Sequence, residues 1–158
     1  MSSPMQGSGR DFLAKKSDLT KYRKNLPPLQ DFLVVDDNTY DGERLRATLH
    51  LMFGYEINVR RAKTLGSALD QVIEKKPELI ILDDILPPSD TATTTIPFLR
   101  RCGYEGPIVV VSSELNMYRR AELLTAGAAD VVHKDDVDSV RIAEALSRVF
   151  KDLTPAAE

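Results

Sequence analysis

Four consecutive apolar residues, Leu79-Ile80-Ile81-Leu82, run directly into Asp83-Asp84-Ile85-Leu86-Pro87-Pro88. A run this short that is apolar on both faces is a strand buried on both sides, as in the middle of a parallel sheet. Pro87 and Pro88 cannot donate to a sheet ladder, so the strand ends before them. Asp83 therefore falls at the carboxyl end of a core strand, the edge where open α/β sheets bind ligands. Phe32-Leu33-Val34-Val35, running into Asp36-Asp37, repeats the form. If the two strands are neighbours, three carboxylates converge on one small volume and need protons or a cation to neutralise them. Few oxygen ligands with open positions suit Mg²⁺. One acid at a strand end is most simply a helix cap. Two matched strands carrying three acids favour a metal site.

From residue 32 the pattern alternates strand and helix. Strand 32–36 leads to helix 40–53, with Leu45, Leu49, Met52 and Phe53 inward and Gly54 as its stop. Strand 56–61 precedes helix 65–75, whose inward residues are Leu65, Ala68, Leu69, Val72 and Ile73. After strand 79–83 comes a helix over 93–102 that starts in a threonine-rich loop and carries Pro97. Strand 108–112 precedes helix 115–126, which Gly127 ends. Strand 130–133 leads to Lys134, and helix 137–150 offers Val140, Ala143, Leu146 and Phe150 to the core. Five β/α repeats with short connections predict an α/β fold: a five-stranded parallel sheet, doubly wound, with helices on both faces.

The length of 158 residues fits one domain with tails. The division expected is a basic extension at 1–30, disordered or a short helix over 10–24, a domain at 31–151 and a tail at 152–158. Net charge is −3, which gives no case for direct nucleic-acid binding. Within the extension Arg10, Lys15, Lys16, Lys21, Arg23 and Lys24 outnumber Asp11 and Asp18, while the remainder is acidic. Such an arm can fold back on its domain or bridge to a second copy as a homodimer. The single cysteine, Cys102, excludes an internal disulfide and a multi-cysteine zinc site. No apolar run is long enough for membrane insertion, and the N-terminus lacks a signal-peptide core, so a cytoplasmic location is expected.

Two more strands end in useful groups: Ser112-Ser113 after strand 108–112, and Lys134 after strand 130–133. Acids, a hydroxyl and an ammonium at one sheet edge suit phosphoryl transfer to an aspartate. A carboxylate can be the nucleophile. Asp36 and Asp37 would hold Mg²⁺, while Lys134 and Ser112 would meet the remaining phosphoryl oxygens.

Four signatures now stand in order: Val34-Val35-Asp36-Asp37, Leu82-Asp83-Asp84-Ile85-Leu86-Pro87, Val110-Val111-Ser112-Ser113, and Gly127-Ala128-Ala129-Asp130 leading to Lys134. Over about 31–151 the chain resembles the receiver domain of two-component response regulators. The resemblance implies a flavodoxin-like sheet of order 2-1-3-4-5. It implies Asp83 as phosphoacceptor, Asp37 as direct metal ligand, Asp36 as the acid binding metal mainly through water, and the Ile85 backbone carbonyl as a further ligand. Ser112 matches the switch hydroxyl and Lys134 the phosphate-binding lysine. The partners implied are a histidine kinase or histidine phosphotransfer protein and a downstream protein target. The chemistry implied is confined to the protein's own aspartate, in a stand-alone regulator.

Three positions depart from that pattern. Asp84 stands where the family usually has an apolar residue, and it too has a proline four residues on. Asp83 is the better phosphoacceptor because it directly ends the apolar strand. Asp135 replaces the usual proline after Lys134. Val131 replaces the usual switch aromatic. Two other readings compete. A phosphorylation-independent scaffold would fit Val131 and Asp135. An aspartate-nucleophile phosphohydrolase would need a second acid that Asp36-Asp37-Asn38-Thr39 does not supply.

Overall fold

Strand β1 (Asp31–Val35) and strand β3 (Leu79–Asp83) are buried along their whole lengths, as apolar runs in a doubly covered sheet must be. The computed structural model describes residues 26–138 and 140–151. Strand β2 is Asn58–Ala62, strand β6 is Ile108–Ser112 and strand β7 is Asp130–His133. These five pair in parallel in the order β2-β1-β3-β6-β7. Numbered along the sheet strands alone, that is the expected 2-1-3-4-5. A two-stranded antiparallel hairpin, β4 (Ile85–Leu86) with β5 (Asp90–Thr91), fills the loop after β3. It contains a cis peptide bond at Pro87–Pro88.

Helices α1 (Thr39–Phe53), α2 (Leu65–Glu74), α3 (Ala92–Arg101), α4 (Met117–Ala126) and α5 (Val140–Val149) complete the repeats. The core divides as a period of two along each strand requires. Phe32, Val34, Leu79 and Ile81 face one layer, with Leu45 and Leu49 of α1 and Ile142 and Leu146 of α5. Leu33, Val35, Ile80 and Leu82 face the other, with Val72 of α2, Ile96 of α3 and Leu123 of α4. Because β1 and β3 are adjacent and in register, Val35 beside Leu82, their terminal acids emerge side by side.

Local chemistry sets the boundaries where they differ from expectation. Helix α4 begins at 117 rather than 115 because Asn116 caps it, its side chain accepting from the Arg119 N–H at 2.9 Å. Gly127 ends it with φ 118°, a left-handed conformation that suits glycine, and Ala128 N–H returns to the Leu123 carbonyl. Helix α5 starts at 140, not 137, because a 3₁₀ turn occupies 134–136. Strand β2 lies later than 56–61 and ends at Ala62, whose carbonyl accepts from Asp36 N–H. Ile73, expected inward on α2, is 69% exposed, and Ala68 and Val72 form the buried stripe instead.

The segment before β1 also enters the core. Leu26 and Leu29 pack with Phe32, Leu79 and Phe150. Glu78 fixes the segment's end by accepting from the N–H groups of Gln30 and Asp31. The helix expected over 10–24 and the tail at 152–158 lie outside the described residues.

Candidate functional site

The β1–α1 loop places the first two acids. Asn38 caps α1 by accepting from Asp41 N–H, and its own N–H donates to Asp36 Oδ1 at 2.8 Å. Asp36 is thereby held buried while Asp37 stays exposed. One carboxylate oxygen from each of Asp36, Asp37 and Asp83 lies within 4.8 Å of the others. Lys134, after β7, reaches into the group. Its Nζ is 3.2 Å from Asp83 Oδ2, 3.2 Å from Asp41 Oδ2 and 3.9 Å from Asp36 Oδ2. A cleft of about 340 Å³ opens over Asp37, Asp83, Ser112 and Lys134.

Burial, reinforced by the Asp83 charge, pushes the Asp36 carboxyl up to about 6. Burial also raises Asp83, although the Lys134 ammonium pulls it back. Burial works against the charge on Lys134, yet the attraction of Asp36 and Asp83 leaves its affinity for a proton above the ordinary value. Asp36 Oδ2 is buried and accepts no hydrogen bond. An orphaned carboxylate oxygen within a cluster of three acids is the donor set a hard divalent cation satisfies, so these residues fit Mg²⁺.

Asp84 points away from this cluster. Its Oδ2 accepts from Ser112 Oγ at 2.9 Å and from Arg119 Nε at 2.9 Å. Its Oδ1 accepts from Arg119 Nη2, closing a bidentate pair. Burial opposes charge on Asp84, but the bonds from Arg119 and Ser112 outweigh it and hold the carboxyl below the usual range. The two adjacent acids therefore occupy different surroundings. Asp83 faces Lys134 and the acid cluster, whereas Asp84 faces an arginine and a serine.

The other departures have local explanations. Asp135 N–H donates to His133 Nδ1 at 3.0 Å, a bond proline could not make. Val131 is buried in the layer that holds Leu123 and Ala128, and its carbonyl accepts from Arg120 Nη1. Ile85 is exposed at the cleft rim, and its N–H donates to Asp83 Oδ1 at 3.5 Å.

Three residues at the site were not singled out from the sequence. Asp41 shares Lys134 with Asp83; its position in the first turn after an Asn cap is the signal that could have found it. Arg119 is 35 residues from Asp84, with no local spacing to connect them. Arg61 Nη2 donates to the Asp36 and Asn38 carbonyls, and its Nη1 to the Thr39 carbonyl.

Comparison with known proteins agrees with this fold. The family described as the response regulator receiver domain matches residues 32–147. The BeF3-activated N-terminal receiver domain of Klebsiella pneumoniae RstA is 27% identical, with 65% of this chain and 84% of that one covered and a TM-score of 0.57. The Francisella response regulator 1452 receiver domain shares the fold at 18% identity, covering 78% of this chain and 98% of that one, with a TM-score of 0.65. A DNA-binding response regulator of the LuxR family from Staphylococcus aureus does so at 16% identity, 77% and 98% coverage, and a TM-score of 0.63. Comparison with curated proteins gives no significant match. From its first sheet strand almost to the end of its last helix, then, the chain belongs to the response regulator receiver domain family.

Proposed function

We propose that the chain accepts a phosphoryl group on Asp83 from a phosphohistidine donor, a histidine kinase or phosphotransfer protein, and signals through protein contacts that depend on it. The observation that carries this reading is the meeting of Asp36, Asp37 and Asp83 within 4.8 Å, with Lys134 bonded to Asp83. An Asp83 carboxylate oxygen forms the new O–P bond as the N–P bond of the donor breaks. The electron pair stays on the imidazole nitrogen, which then takes a proton from water. Mg²⁺, which Asp36, Asp37, Asp83 and the Ile85 carbonyl would hold, supplies charge neutralisation at a phosphoryl oxygen when bound. Lys134 pairs with a second oxygen, exchanging its bond to the Asp83 carboxylate for one to the group Asp83 carries. Ser112 is placed to donate to a third once its hydroxyl turns.

The test is intact mass after acetyl phosphate and Mg²⁺. The chain should gain one phosphoryl mass. Asp83→Asn should abolish the gain and Asp84→Asn should retain it. Labelling that survives the first change and vanishes with the second would put the phosphoryl group on Asp84 instead.

A further inference from the structure

We propose that Asp84 and Arg119 are positioning residues that set how readily Ser112 serves the phosphoryl group, a step that rests on the reading of Asp83 above. Ser112 Oγ accepts from Glu114 N–H at 3.3 Å, so its own proton is what it gives to Asp84 Oδ2. A hydroxyl has one proton. It cannot donate to Asp84 and to a phosphoryl oxygen on Asp83 at once. The carboxylate is thus a built-in competitor for the same donor. It stands at the residue next to the phosphoacceptor, where an apolar side chain could not compete.

Arg119 sets the strength of that competition. Asp84 is buried, and a buried carboxylate left without donors is strongly disfavoured. The bidentate arginine keeps Asp84 satisfied after Ser112 departs, so it eases release. The remaining attachments of Asp84 explain what the exchange can move. Its N–H donates to Val111 O, its carbonyl accepts from Ala92 N–H at the start of α3, and Arg119 belongs to the first turn of α4. One residue, through its backbone and its side chain, therefore connects the strand ends to the starts of two helices. The loss of a single hydrogen bond at Ser112 is felt at all of them.

The two residues should act with opposite signs, which a general loss of stability cannot mimic. The probe is beryllofluoride with Mg²⁺, titrated against the full chain by amide shifts, with thermal melts as a fold control. Asp84→Leu frees Ser112 and should tighten beryllofluoride about tenfold, the worth of one hydrogen bond to a charged group. Arg119→Met leaves the Asp84 carboxylate with Ser112 and only the longer 3.4 Å bond from Ala92 N–H, and should weaken binding by a similar factor. In a Ser112→Ala background both effects should vanish, because no hydroxyl remains to contest. Equal affinity for wild type and Asp84→Leu overturns the proposal, as does the same sign for both variants or effects that persist without Ser112. Arg119 is partly exposed, with 20% of its side chain in solvent, and Arg119→Lys keeps a cation beside Asp84, so an arginine variant whose melt shows it folded decides the matter even if Asp84→Leu fails to fold. Failure of the wild-type chain to bind beryllofluoride at all would instead overturn the reading of Asp83, and this proposal with it.

Discussion

The guanidinium of Arg61 lies in the space that a side chain at Gly42 would fill. Only glycine lets the arginine of β2 lie flat against the first turns of α1. From there it donates to the carbonyls of Asp36, Asn38 and Thr39, at the junction of β1 and α1 that carries Asp36 and Asp37. Gly42→Ala should push aside the flexible end of Arg61 and cost about 1 kcal/mol net, the lost carbonyl bonds outweighing alanine's better helix propensity. Because the displaced bonds hold the acid loop, Mg²⁺ affinity should fall with stability. A calorimetric Mg²⁺ titration with a parallel melt checks this. Unchanged affinity would show that the loop holds its shape without Arg61.

The metal-free protein should be more stable at pH 5 than at pH 7.5. The folded Asp36 carboxyl titrates at about 6 against an ordinary 3.8, so over that interval the folded chain binds more protons than the unfolded one. Stability therefore falls as pH rises through that window and levels off above it. The raised Asp83 acts in the same direction, while the lowered Asp84 loses its contribution only below pH 4. The difference should be about 1–3 kcal/mol, following the free-energy equivalent of such shifts. Saturating Mg²⁺ should abolish or reverse it, since the cation needs the ionised acids. Asp36→Asn should flatten the profile, and a melt that rises from pH 5 to 7.5 without metal would contradict the assignment.

Much of this was legible in the sequence because parallel strands covered on both faces must be apolar on both faces. Phe32–Val35, Leu79–Leu82 and Ile108–Val111 therefore announce themselves, and the acids that end the first two, with the serine that ends the third, locate the site. Long-range polar pairing was not legible. Asp84 reads as a departure from its family, but its meaning comes from Arg119, 35 residues further along the chain. Gly42 looks like a weak point in a helix until Arg61 is seen against it. Ile73 fits the periodic stripe of α2 yet lies at its edge, beyond the narrow contact made by Ala68 and Val72.

Leu26 and Leu29 should matter to stability although they precede the first strand. The Leu26-Pro27-Pro28 sequence reads as a helix stop, yet the two leucines are only 8% exposed, against Phe32, Leu79 and Phe150. Leu26→Ala or Leu29→Ala should each cost about 2–4 kcal/mol by loss of buried volume. Neither touches the acid cluster, so Mg²⁺ affinity at a temperature where the variant is folded should not change. A melt indistinguishable from wild type would mean the segment contributes nothing to the core.

Activation should leave Val131 quiet. In this chain the residue three before Lys134 is aliphatic, packed among Leu123 and Ala128, with its carbonyl held by Arg120. It has no ring to swing into space vacated by Ser112. The groups that must rearrange lie elsewhere. Ser112 turns from Asp84, Lys134 exchanges Asp83 Oδ2 for a phosphoryl oxygen, and the hairpin at 85–91 borders the cleft in which the group sits. Beryllofluoride with Mg²⁺ should therefore shift amides most in 84–92 and in the first turn of α4, where Asn116 caps Arg119. Shifts at Val131 should be small by comparison. Largest shifts around Val131, with 84–92 and 116–119 unmoved, would mean that the signal leaves the site by a route that bypasses Asp84.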